Sequence, residues 1–204
     1  MGERALAHNS FGVATFAAAG LGATPVCAHA TVPGITGYPA LMLHPLVVSH
    51  HLLALLAAGL LLFQAPRLSR WRSIAAFVAA LAAANAAQGL IPNLFSWYWI
   101  ASSSLLAAAG ATTAIADPVP PRLALPLIAA LGVLLGFDIH AEVAGPWARA
   151  EAVSATALTG SLMLLLAGFA GGYHLPRPVR VLARILAAWI TAAVVMILAF
   201  ALRS

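Results

Sequence analysis

Residues 44–63 read HPLVVSHHLLALLAAGLLLF, and this stretch decides the fold. No Asp, Glu, Lys or Arg interrupts it, and its length approaches the ~20 residues that cross a ~30 Å hydrocarbon core. It lies in the first of six apolar blocks separated by Pro, Gly and Arg, so we predict an all-α fold, a polytopic membrane helix bundle. The blocks are residues 40–64, 74–91, 94–116, 123–139, 151–173 and 180–202.

The composition agrees with a membrane protein and excludes other classes. Of 204 residues, 63% are hydrophobic and only 7% are charged, whereas ordinary globular domains carry about 25% charged residues. The net charge of +5 comes from ten basic residues, all arginine, which excludes lysine-imine chemistry. Because these arginines form short clusters and not a basic stripe, we expect a lipid bilayer as the partner and no nucleic acid.

Residues 1–28 have the pattern of a signal peptide. Arg4 precedes an apolar stretch too short to span comfortably, and small residues follow at 26–30. Cleavage would fall before His29 or before Thr31, and an uncleaved first span is the alternative. We therefore predict a leader at 1–28 and a single six-helix transmembrane domain at 29–204.

Arginine placement predicts the topology. Seven of the ten arginines lie in or beside the loops between spans one and two, three and four, and five and six. The positive-inside rule places these loops in the cytoplasm. A cleaved leader independently places the mature N-terminus in the periplasm, so we expect a multi-pass protein of the bacterial inner (cytoplasmic) membrane.

Three histidines open the first span. With Pro45 as the first helical residue, His51 would lie roughly 9–10 Å inside the helix start. His44 and His51 are seven residues apart and would share a helix face, while His50 would point about 100° away. Histidine is costly in lipid, so these rings should face the bundle interior or a water-filled cavity.

Further polar residues fall in the same outer leaflet. Span four ends with Asp138, His140 and Glu142, which would line an extended mouth or, in a continuing helix, place Asp138 and Glu142 one turn apart. Asn85 and Gln88 lie on one face near the outer end of span two. The alternative for each single residue is an interhelical hydrogen bond.

Imidazole and carboxylate ligands together suit a borderline divalent transition metal. We therefore predict a metal site near the periplasmic side, with Asn85 and Gln88 as polar residues on the substrate path. The candidate ligands are His29, His44, His50, His51, Asp138, His140 and Glu142.

Residues 44–59, HPLVVSHHLLALLAAG, resemble a signature of the HupE/UreJ family, small bacterial membrane proteins implicated in nickel and cobalt uptake. The family motif is H-P-x-x-G-x-D-H followed by a Leu/Ala run that ends in Gly. His44 and His51 match it directly, Val48 stands at the motif Gly, and His50 stands at the motif Asp.

A second stretch, FDIHAEV at 137–143, stands where the family has a late motif, roughly F-H-G-x-A-H-G. Asp138 and Glu142 occupy two of its histidine positions. The resemblance also implies a secretory leader, a mature chain that begins near a histidine, as at His29, and about six spans. It implies a metal-binding transport protein without enzyme activity, for nickel or cobalt, with copper or zinc as alternatives because ligands are exchanged between the two motifs.

Two other functions remain open at this point. His51 and His140 could ligate haem in a redox subunit. The small-residue-rich spans, such as residues 79–84, could pack the chain as a non-transporting accessory subunit of a larger membrane complex, or into a homo-oligomer.

Overall fold

The computed structural model describes residues 35–87, 95–142, 145–171 and 176–203, all within one compact unit, Thr31–Ser204. The predicted signal peptide and both of its cleavage sites lie outside the described residues. The described part is all-helical. Its helices are α1 (Tyr38–Val47), α2 (Ser49–Phe63), α3 (Arg70–Ala87), α4 (Phe95–Ile115), α5 (Pro121–Glu142), α6 (Pro146–Ala170) and α7 (Arg177–Ala201).

The helices follow the six apolar blocks of the sequence, with α1 and α2 sharing the first block. Three of the described helices are long and apolar enough to cross a membrane, at Pro121–Ile139, Pro146–Ala170 and Arg177–Phe200. The α1–α2 pair makes a fourth candidate if it is one broken span. Six membrane crossings therefore stay a prediction.

The first block is not a single helix, and the expectation that it begins at Pro45 is wrong. Pro45 lies inside α1, and the chain bends by 79° between α1 and α2. Val48 is extended at the bend (φ −75°, ψ 114°), although its N–H still donates to the carbonyl of His44 at 3.0 Å. Pro45, which lacks a helical donor, and the β-branched Val47 precede the break, and Val48 at the break is β-branched too. His51 is thus in the first turn of α2 and not two turns inside a helix.

Two contacts tie α1 to α6. The Thr159 hydroxyl donates to the carbonyl of Met42 at 2.8 Å, and the Tyr38 hydroxyl lies 3.1 Å from Ser154 Oγ. Helix α1 packs on α6, and after the turn at Val48 helix α2 enters the bundle, where it packs against α4, α5 and α6.

Glycine allows α5 to pack closely on α3. A Cβ at Gly132 would lie 2.5 Å from the Phe77 carbonyl oxygen, and Gly136, one turn later, faces the Leu81 carbonyl. This is the small-xxx-small pattern by which membrane helices bring their backbones together. The Asn85 amide adds a hydrogen bond to the Gly136 carbonyl at 3.3 Å. Together these contacts set the position of α5 just before Asp138.

Arginines join α4 and α7 at the other end of the bundle. Arg184 Nε donates to the carbonyl of Ala114 at 2.8 Å, and Arg180 Nη1 lies 3.3 Å from Asp117 Oδ1. The first contact caps a helix C-terminus with a cation, which is the favourable end for positive charge.

We expect Gly132→Ala to destabilise the protein more than Gly59→Ala does. The added methyl group at Gly132 meets backbone that cannot rotate away, whereas at Gly59 it would lie 3.4 Å from Ala167 Cβ, an ordinary contact. Overpacking of this kind costs about 1–3 kcal/mol. Thermal unfolding of both variants in the same detergent checks this, and equal midpoints would show that α3 and α5 are not in close contact.

Candidate metal site

Three ligand-type atoms converge between α2 and α5. One ring nitrogen each of His50 and His51 and a carboxylate oxygen of Asp138 all lie within 4.8 Å of one another. His50 Nε2 is 2.9 Å from Asp138 Oδ2, and His51 Nε2 contacts the same oxygen. An ionised carboxylate only accepts hydrogen bonds, so both imidazoles present Nε2–H to it.

The three side chains differ in burial, and His50 is the most accessible to solvent. His51 is 1% exposed and Asp138 is 9% exposed, whereas the His50 side chain retains 20% of its surface. A carboxylate in an apolar bundle is costly unless it is paired and hydrogen-bonded, and the two imidazoles supply these partners. His50 is the member of the group through which an ion could enter.

Aromatic rings surround the group. The His44 ring lies 5.6 Å from the His51 ring, and the Trp99 ring lies 5.1 Å from that of His50, both in edge contacts. The Tyr98 hydroxyl donates to the Leu134 carbonyl at 3.1 Å, which attaches the start of α4 to α5. Trp99 therefore borders the group at its partly exposed member, His50.

His51 has one nitrogen without a partner. Its Nδ1 is buried and makes no hydrogen bond to any described atom. A histidine that binds a metal through one nitrogen normally donates a hydrogen bond from the N–H of its second nitrogen to a carbonyl, a carboxylate or water. Among the described residues, the hydrogen bond to Asp138 and the packing of the ring are what orient His51.

The structure brings together three of the predicted ligands and changes their geometry. His50 and His51 leave α2 in different directions, but their rings lie 4.3 Å apart and both reach the same oxygen of Asp138. His44 reaches His51 by a ring contact across the bend and not by sharing a helix face.

The other predicted site residues do not belong to the His50–His51–Asp138 group among the described side chains. Helix α5 continues to Glu142, so the mouth is helical and not extended, and Asp138 and Glu142 stand one turn apart. The side chains of His140 and Glu142, and the whole of His29 and Gln88, lie outside the described part of the structure. The Asn85 amide donates a hydrogen bond to the Gly136 carbonyl on α5, which is the interhelical role that was the alternative for this residue.

Sequence reasoning missed the role of the aromatic residues at the start of span three. Trp99 contacts the His50 ring, and the Tyr98 hydroxyl donates a hydrogen bond to α5. Their predicted placement in the same leaflet as the histidines was the available signal.

The fold and the site together define an all-helical protein with helices of membrane-spanning length and a buried His/Asp group able to hold a metal ion. The family model described as "HupE / UreJ protein" matches residues 15–197, which is most of the chain. The chain therefore belongs to the HupE/UreJ family, which is associated with nickel and cobalt transport. No curated protein and no solved structure matches it.

We expect both His50 and His51 to carry their proton on Nε2 in the metal-free protein at neutral pH, because both nitrogens donate to Asp138. The ¹⁵N shifts of histidine-labelled protein report the tautomer directly. Asp138→Ala should remove this preference, with His174 as an internal reference. Nδ1–H tautomers at both positions would contradict the described hydrogen bonds.

Proposed function

We propose that the protein binds a divalent transition-metal ion at His50, His51 and Asp138 and carries it across the bacterial inner membrane. The observation that supports this most is the convergence of two imidazole nitrogens and one carboxylate oxygen inside an apolar helical bundle. Membership of a family associated with nickel and cobalt transport points to the same class of substrate.

The ligand set suits the proposed ion. Imidazole is a good ligand for nickel, cobalt, copper and zinc, and Asp138 neutralises one of the two positive charges. Binding replaces both Nε2–H···O hydrogen bonds by metal–nitrogen bonds, so each neutral imidazole moves its proton to Nδ1. Three protein ligands leave coordination positions open, as an ion that must later depart requires. We propose His29, His44, His140 and Glu142 as further ligands along the route.

The break between α1 and α2 is a second feature that favours an ion-binding site beside it. Irregular backbone inside a membrane is tolerated only where it is buried in protein or lines a water-filled cavity. In transporters, discontinuous helices of this kind often surround the coordinated ion. Here the break at Val48 directly precedes His50 and His51.

The proposed route runs from the periplasm to the cytoplasm across six spans. The arginine-poor end, with the site, faces outward, and the arginine-rich end faces the cytoplasm. An ion captured at the outer mouth would pass His44 and the partly exposed His50 and reach the buried His51, with Asn85 and Gln88 beside the route. An inside-negative membrane potential favours this direction by ~2.3 kcal/mol per charge per 100 mV.

Substitution of the site should weaken metal binding without unfolding the protein. We expect His51→Ala and Asp138→Asn to lower nickel or cobalt affinity by at least roughly tenfold, since the loss of even a supporting group costs 10–100-fold. His174→Ala is the control of matched residue type. Titration calorimetry on purified protein, metal analysis and cellular metal accumulation measure the effect.

The outcomes separate the proposal from its alternatives. Loss of both binding and accumulation in the site variants supports a metal transporter. Unchanged metal content and accumulation in His51→Ala and Asp138→Asn would refute it. A Soret band in the purified protein that disappears in His51→Ala would instead indicate a haem-ligating subunit.

A further inference from the structure

A groove runs between α2, α6 and α7 at the end of the bundle opposite the His/Asp group. It has a volume of about 410 Å³, and every residue that lines it is apolar. Leu166 on α6 is 58% exposed and Leu182 on α7 is 55% exposed, so these walls face away from the protein core. The groove reaches Phe63, at the last residue of α2, and Val179, in the first turn of α7.

Helix packing explains why the groove stays open. Helix α7 is held against α4 by Arg184 and by the close approach of Gly110 to Thr191. Helix α6 is held against α1 by Thr159 and against α3 by Gly160, which meets the Phe77 ring. The two helices are thus fixed on different partners, and the described side chains leave the space between them open.

Positive charge lies at the mouth of this groove. The Arg70 guanidinium stacks 4.2 Å above the Phe169 ring, next to the groove-lining Ala170. Arg177 is exposed at the first residue of α7. Among the described side chains, Asp117 is the carboxylate at this end, and it binds Arg180. Arg70 and Arg177 therefore have no carboxylate partner in the described part of the chain.

We propose that the groove holds an acyl chain of an anionic phospholipid whose phosphate lies against Arg70 and Arg177. An apolar groove alone would accept any acyl chain, but the two unpaired arginines select a negatively charged head group. Basic pockets between membrane helices on the cytoplasmic side bind anionic lipids in this way, and each arginine near the surface adds about a few-fold in affinity. The inference does not depend on what the His/Asp group binds.

The test is retention of phosphatidylglycerol against phosphatidylcholine. Protein taken from mixed vesicles of the two lipids is analysed by native mass spectrometry, for the wild type, Arg70→Gln/Arg177→Gln and the control Arg203→Gln. Arg203 is exposed at the opposite end of α7. We expect phosphatidylglycerol adducts on the wild type and the control, and a roughly tenfold loss in the double variant.

A second variant keeps the proposal falsifiable if the double variant folds poorly. Ala170→Phe narrows the groove and leaves both arginines in place, so it should also lose the lipid, and Arg177→Gln alone should show a partial loss. Circular dichroism confirms that each variant is helical. Equal retention of both lipids by the wild type, or undiminished phosphatidylglycerol in the arginine and groove variants, would overturn the proposal. A lipid-free dimer would overturn it also, because a second copy would then cover the groove.

Discussion

The carboxylate of Asp138 is the group on which the rest of the arrangement depends. It is 9% exposed in a chain whose mean hydropathy is +0.98, and both His50 and His51 donate to one of its oxygens. In a medium of low dielectric, a charge without such partners is strongly destabilising. The start of α2 must therefore lie against the end of α5. The close glycine packing of α5 on α3 and the attachment of α1 to α6 are compatible with this position.

Two consecutive residues of α2 serve one carboxylate. Neighbours on a helix diverge by about 100°, so His50 and His51 reach the same Asp138 oxygen from different directions. Val48 stands where the motif of the HupE/UreJ family has glycine, which is the position of the hinge. Because its φ is −75°, a β-branched side chain is accommodated there without left-handed backbone. Val48 thus occupies the bend without backbone strain.

The sequence was enough to predict the helical class, the apolar blocks and a set of residues that includes the His/Asp group, because hydropathy and the placement of His and Asp depend on local composition. It did not predict the 79° bend, the shared contact of His50 and His51 with Asp138, or the contact between Trp99 and His50. Periodicity assumes an uninterrupted helix, and these features depend on which helices meet in three dimensions. Helix α2 carries two members of the His/Asp group in its first turn, and its last turn lines the apolar groove.

X-ray absorption of the nickel-loaded protein tests the central claim most directly, since it counts the ligands on the ion itself. The account predicts a nitrogen and oxygen shell without sulfur, with outer-shell scattering from at least two imidazoles, because His50 and His51 present Nε2 to one point. His51→Ala should reduce the imidazole contribution by one ring. A spectrum without imidazole scattering, or one that His51→Ala leaves unchanged, would contradict a metal site between α2 and α5.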